Sequence, residues 1–373
     1  MPETSLWLEE PRVPLPLRRF EGRAEVAVIG GGVTGCSCAL TLAGRGVRVR
    51  LHEAREIAGG ASGRNGGFAL RGLALPYDEA LAALGADEAR RLMVLTEAAL
   101  ARLAALAGDA FRAHGSLRLA WDEAELEGLR REHDALRGDG FAVEWVDELP
   151  APLARLARGA ILHPADGALQ PARWVRRLAV HAADAGADIR EGSEVRVDEL
   201  DADVIVVAGD GFTASLLPEL AGSVVATRGQ VLATAPLPEL LYGRPHYARH
   251  GYDYWHQLPD RRLVLGGRRD ASPASEQTEV MATTPLIQRL LDELAAELAG
   301  GPVDVTHRWA GVWGTTPDLL PLVGRVPGRD DVWVAGGYSG HGNVLGLACG
   351  DLVARAILGE HPTELVHLDP ARL

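Results

Sequence analysis

The chain has 373 residues, with 38 basic and 51 acidic side chains and a formal charge of −13 when histidine is neutral. At ~100–200 residues per domain there is room for two domains or one large doubly wound unit. The acidic balance argues against nucleic acid or an anionic membrane as partner, since both reward a clustered cationic face. All 38 basic residues are arginine, so a Schiff-base lysine, a pyridoxal phosphate anchor and a Walker-type lysine are excluded.

The same bias leaves Asn65 and Asn343 as the only asparagines. Cys36, Cys38 and Cys349 are too few for a disulfide framework and are not spaced as a zinc site. They read as small buried residues of a reducing compartment, and no metal is expected. No apolar run approaches the ~20 residues of a membrane span. Arg18-Arg19 leads into no hydrophobic stretch, so no export signal is expected and the cytoplasm is the default.

Residues 1–23, rich in proline and charge, read as an extended arm. Val26–Ile29 is a short apolar run bounded by glycines, predicted as a buried strand, followed by a helix over Cys36–Gly44 and a second strand over Val47–His52. A glycine-rich loop covers 59–67. The Ala/Leu-rich stretch 78–107 predicts one long helix or two. Leu117–Trp121 predicts a strand, 122–138 a charged amphipathic helix and 143–146 a strand. Pro171–Gly186 is helical, and Asp203–Ala208 has the composition of a fully buried strand. Short strands are predicted at Val224–Thr227, Gln230–Ala235, Tyr252–Leu258 and Arg262–Gly266, and a helix at 285–299. The C-terminal part repeats strand, glycine loop and helix at Val332–Ala335, Gly336–Gly342 and Val344–Leu358.

Gly30, Gly32 and Gly35 form a G-x-G-x-x-G run between a predicted strand and a predicted helix. The first glycine turns the chain, the second lets backbone approach a pyrophosphate and the third packs helix on strand. The positive end of the helix then meets the phosphates. Glu53, 23 residues beyond Gly30, is placed to bind a ribose 2′-hydroxyl and would repel a 2′-phosphate. An ADP moiety is expected, in FAD or NAD. Two later loops favour FAD. Ser62-Gly-Arg-Asn65-Gly-Gly67 suits a backbone that donates to a second phosphate and reaches a ring system. Gly336-Gly-Tyr-Ser-Gly-His-Gly342 precedes an apolar helix whose positive end would stabilise a reduced flavin.

These strings resemble the FAD-dependent D-amino-acid-oxidase/glycine-oxidase superfamily, and most of all its gamma-glutamylputrescine oxidoreductase-like branch. Ser5-Leu-Trp-Leu8, Asp166–Pro171, Val206–Phe212, Arg228-Gly-Gln230, Tyr252–Trp255, Gly266-Gly-Arg268 and Trp309–Trp313 carry the likeness along nearly the whole chain. The resemblance implies an α/β fold: a Rossmann-like FAD-binding domain with a discontinuous α+β substrate domain built on a mixed antiparallel sheet. The expected boundaries are an arm at 1–22, FAD-binding segments at 23–75, 160–228 and 305–373, and substrate segments at 76–159 and 229–304. It also implies oxidation of a carbon–nitrogen bond of an amine or amino acid, with electrons usually returned to oxygen as peroxide. Two rivals are a dehydrogenase serving a quinone or protein acceptor and a flavin-binding subunit without turnover.

The FAD contacts so implied fall on Gly30, Gly32, Val33, Thr34, Gly35, Glu53 and Ala54; on Ser62, Arg64, Asn65, Gly66 and Gly67; on Val195, Ala208, Gly209 and Trp313; and on Gly337, Gly340, His341, Gly342, Asn343 and Val344. Three departures stand out. Only Arg196–Ala202 replace the usual β-meander. Val344 stands where related sarcosine oxidases hold the substrate carboxylate with lysine, and the lysine that activates oxygen has no counterpart. No cysteine lies near Val312 and no histidine in 59–67, so FAD is expected to be non-covalent. Amine oxidation by flavin needs a neutral amine and a dry pocket rather than a strong acid or base. The candidates for that pocket are His341, Tyr252, Tyr254 and Arg268. Tyr252 and Tyr254 would share one strand face, as pocket wall or as ordinary packing. His341 would touch flavin or line the pocket, or serve structure alone. Arg268 would fork onto a carboxylate or lie on the surface. Trp313 would cover the flavin or fill the core.

Overall fold

A computed structural model describes residues 4–12, 14–16 and 18–373. Parts of the expected arm, at 1–3, 13 and 17, lie outside the described residues. The βαβ opening is present: Ala24–Ile29, the helix Val33–Ala43 and Val49–His52. These strands are neighbours in a six-stranded sheet ordered Leu322–Arg325, Val332–Gly336, Ala202–Val207, Ala24–Ile29, Val49–His52, Asp188–Arg190. All neighbours are parallel except the first pair. Ala24–Ile29 is buried at five of six positions, as a strand covered on both faces must be. The helix Val33–Ala43 packs on Gly342–Ile357, and small residues set the approach. A Cβ on Gly350 would stand 2.3 Å from the Thr34 carbonyl oxygen. Cys36, Cys38 and Cys349 are buried in this contact, and burial pushes their thiols far above the ordinary range.

An eight-stranded sheet faces the first, in the order Val305–Thr315, Val225–Pro236, Arg262–Gly267, Asp253–Gln257, His246–Ala248, Ser116–Ala120, Gly159–His163, Glu144–Val146. Its pairs are antiparallel apart from His246–Ala248 beside Ser116–Ala120. A three-stranded antiparallel sheet is formed by Phe68–Ala69, Gly167–Leu169 and Phe111–Ala113. The boundaries expected at 160, 229 and 305 therefore fall at or within strands of the larger sheet. The two strands predicted at 224–227 and 230–235 are one continuous strand. Gly229 sits inside it because a Cβ there would be 2.2 Å from the Trp313 ring. That glycine serves packing, not a turn. Among the described residues no helix is long and apolar enough to cross a membrane.

Candidate active site

The C-terminal ends of the parallel strands open onto a cavity of about 490 Å3. Gly30, at φ +112°, turns the chain there, and a Cβ on it would meet the Ala208 carbonyl oxygen at 2.5 Å. A Cβ on Gly35 would lie 1.9 Å from the Gly30 carbonyl oxygen, so only hydrogen fits where helix crosses strand. Glu53 ties the turn down: the Gly31 N–H donates to its Oε2 at 2.6 Å and the Arg55 N–H to its Oε1 at 2.8 Å. The helix that follows has no cap from its own Gly32. Instead the Val33 N–H donates to Ser62 Oγ at 3.1 Å, which joins the first glycine turn to the second.

The second turn meets the third through the only two asparagines of the chain. Asn343 Nδ2 donates to Asn65 Oδ1 at 3.2 Å and to the Phe68 carbonyl at 2.7 Å. Asn65 also spans its own loop, donating to the Ala61 and Ser62 carbonyls at 3.1 Å and accepting from Gly67 N–H at 2.8 Å. Tyr338 Oη and Thr34 Oγ1 lie 2.7 Å apart, linking the third turn back to the first helix. Asp210 accepts from the Gly337 N–H at 2.9 Å, and burial pushes its carboxyl up to about 6. All three glycine turns thus border one cavity.

Its far end is aromatic. Tyr247, Tyr254, Trp313 and His341 line it, with Arg269. Burial pushes Tyr254 up to about 12, so its hydroxyl stays a neutral donor. Burial, helped by the Arg118 charge, pulls His341 down to about 4. Arg269 donates to the Gly251 carbonyl at 3.0 Å and lies 4.3 Å over the Tyr252 ring and 5.4 Å over that of Trp313. Among the described residues no carboxylate pairs with it.

Two expected site residues are displaced. Arg268 takes a left-handed conformation (φ +60°) after Gly267 at φ +137°, which turns its side chain to Asp253 at 2.9 Å and gives the cavity to Arg269. Tyr252 precedes the strand in a helical conformation (φ −81°, ψ −9°), so strand alternation does not apply to it. It supports Arg269 from outside the cavity. Of the expected cofactor contacts, Gly35, Gly67, Gly337 and Val344 do not line the wall. Gly35 and Val344 are packing positions; Gly67 and Gly337 turn the chain at φ +79° and +76°. All the others do line it. Sequence reading missed Tyr247, Arg269, Asp210, Phe212 and Ser193 on the wall. Gly209-Asp-Gly211 at the end of a buried strand was a usable signal for Asp210. Arg228-Gly-Gln230 has a structural role: Arg228 forks onto Glu276 with two bonds of 2.8 Å, and Gln230 adds bonds of 3.1 Å. This buried pair anchors the segment that begins at Arg269.

A glycine-built βαβ turn, an acid closing the second strand and a second sheet over the cavity define a dinucleotide-dependent enzyme. Residues 25–356 match the family of FAD dependent oxidoreductases termed DAO, and the chain belongs to that family. It is 33% identical over 384 residues to a probable oxidoreductase, OrdL, of Rhizobium meliloti (strain 1021), covering 95% of this chain and 87% of that protein. It is 26% identical over 371 residues to gamma-glutamylputrescine oxidoreductase of Escherichia coli (strain K12), covering 90% and 84%. The crystal structure of glycine oxidase from Geobacillus kaustophilus superposes with a TM-score of 0.77 at 25% identity, covering 95% of this chain and 100% of that one. L-proline dehydrogenase from P. horikoshii shares the fold, with a TM-score of 0.76 at 22% identity over 95% and 98%. The glycine cradle, where a Cβ on Gly30 or Gly35 would meet backbone oxygen, fits FAD.

Proposed function

We propose that this enzyme oxidises the carbon–nitrogen bond of a small amine or amino acid with FAD held non-covalently. The observation that carries the reading is the cavity wall, where Tyr247, Tyr254, Trp313, His341 and Arg269 stand together with the three glycine turns. Glu53, Ser62 and the helix end at Val33 hold the nucleotide; Gly340, His341 and Gly342 face its ring system. FAD held there would supply two-electron oxidation at the carbon beside the nitrogen, with oxygen as the final acceptor. The residues around it position a neutral amine, exclude water and leave the imine to hydrolyse afterwards. Anaerobic mixing with a panel of amines and amino acids tests this: at least one should bleach the flavin, and bleaching by none favours a binding subunit. The absence of any lysine favours a second reading of the acceptor as a quinone or protein. Peroxide yield against dye reduction separates the two.

Arg269 takes the role of carboxylate anchor expected at Arg268. Charge-assisted bonds in a part-dry site contribute about 1.5–3 kcal/mol. Arg269→Ala is therefore expected to raise KM for a carboxylate-bearing substrate roughly 10–100-fold with a smaller effect on kcat, while Arg268→Ala leaves KM within about threefold. Equal effects from both would contradict the assignment.

His341 is neutral at any pH well above about 4, so it supplies no proton near neutrality. The substrate nitrogen must itself be unprotonated for the carbon beside it to give up hydride. kcat/KM is expected to rise with pH along the ammonium ionisation of the free substrate. His341→Gln should lower the plateau without moving that inflection, and a shifted inflection would make His341 the titrating group.

A further inference from the structure

The loop at 61–67 is held from behind by groups that do not border the cavity. The Gly63 carbonyl accepts from Ser5 Oγ at 2.8 Å, and the Asn65 carbonyl from Trp7 Nε1 at 2.8 Å. Between them, the Arg64 carbonyl accepts from Trp309 Nε1 at 2.9 Å. The two indoles meet edge to face, 6.3 Å apart at 79°, both buried. Ser5 and Trp7 lie 58 positions before their partners in sequence. Their own turn, Leu6–Glu9, is docked in place. Gln170 Nε2 donates to the Trp7 carbonyl at 2.9 Å, Arg176 to the Glu10 carbonyl at 3.0 Å, and His307 meets Glu9 at 3.1 Å.

A trans peptide is planar, so a carbonyl and the N–H of the next residue point opposite ways. Outward carbonyls at 63, 64 and 65 turn the N–H groups of Arg64, Asn65 and Gly66 to the other side. The Arg64 N–H is used by the Ala61 carbonyl at 3.1 Å. Among the described residues no protein atom accepts from the N–H of Asn65 or Gly66, and both residues line the cavity. We propose that the Ser5–Trp7 turn is a positioning element for the cofactor: by gripping consecutive carbonyls it presents the Asn65 and Gly66 N–H groups as a fixed donor pair for FAD. This rests on the cavity being the FAD seat. A donor pair ordered before binding removes an entropic cost that a loose loop would impose.

Trp7→Phe in the full chain keeps a ring in place and removes the N–H. Its FAD dissociation constant is expected to rise about five- to tenfold, the size of one lost hydrogen bond. The visible absorption bands of the bound flavin should also shift, as should those of Trp309→Phe. Trp174→Phe removes an equally buried indole whose nitrogen has no hydrogen-bond partner among the described residues; it should lower thermal stability and leave both readouts unchanged. Unchanged affinity and spectrum in Trp7→Phe would overturn the proposal. Should that variant not fold, hydrogen exchange on the wild type decides. In the apoprotein, residues 5–9 and the loop should already be protected, with FAD slowing chiefly the Asn65 and Gly66 amides. An arm and loop that become protected only together with FAD would refute preorganisation. A wild type that takes up no FAD would overturn the reading of the cavity itself.

Discussion

Gly35→Ala is expected to give a protein without flavin and with a lower melting temperature. The added carbon would sit 1.9 Å from the Gly30 carbonyl oxygen, far inside contact distance. Neither partner can retreat. The Gly30 N–H is bonded to the His52 carbonyl at 2.8 Å, and the Ala208 carbonyl stands so close that a Cβ on Gly30 would meet it at 2.5 Å. Relief must come from moving the helix Val33–Ala43, which is packed along Gly342–Ile357. Overpacking of this kind costs about 3 kcal/mol, and the displaced helix end no longer faces the phosphates. Gly138→Ala, where a Cβ meets nothing within 4 Å, is the control. Visible absorbance per chain and a thermal melt check the pair; normal flavin content in Gly35→Ala would contradict the packing argument.

Glu53→Gln should weaken FAD binding about 100-fold. The carboxylate is buried and accepts one backbone N–H on each oxygen, from Gly31 and Arg55. An amide turns one of those acceptors into a donor aimed at an N–H, leaving both groups unsatisfied. Losing one charge-assisted bond and leaving a buried donor unpaired together cost about 3 kcal/mol. Equilibrium titration of apoprotein by flavin fluorescence measures the change, and a shift below about threefold would show that Glu53 does not hold the nucleotide turn.

The parallel sheet was legible because its strands are continuous apolar runs between glycines. Val26–Ile29 and Asp203–Val207 can hardly be anything but buried strands. The larger sheet was less so, because its order depends on distant pairings. His246–Ala248 is three residues long and lies between Ser116–Ala120 and Asp253–Gln257. Nothing local marks Tyr247 as a wall of the cavity. Val305–Thr315 was not predicted as a strand at all, since its Trp, Gly and Ala residues do not alternate in polarity. Arg269 was missed by one residue because the left-handed turn at Arg268 is set by tertiary contacts. The asparagines show the opposite case. In a chain that otherwise avoids them, both lie where two loops must exchange hydrogen bonds.

A crystal structure of the purified protein with FAD tests the central claim most directly. The account predicts one dinucleotide in the cavity, with its pyrophosphate at Gly32 and Ser62, and with Gly340, His341 and Tyr254 around the ring system. A flavin bound elsewhere, or a cavity that stays free of it at saturating FAD, would contradict the account.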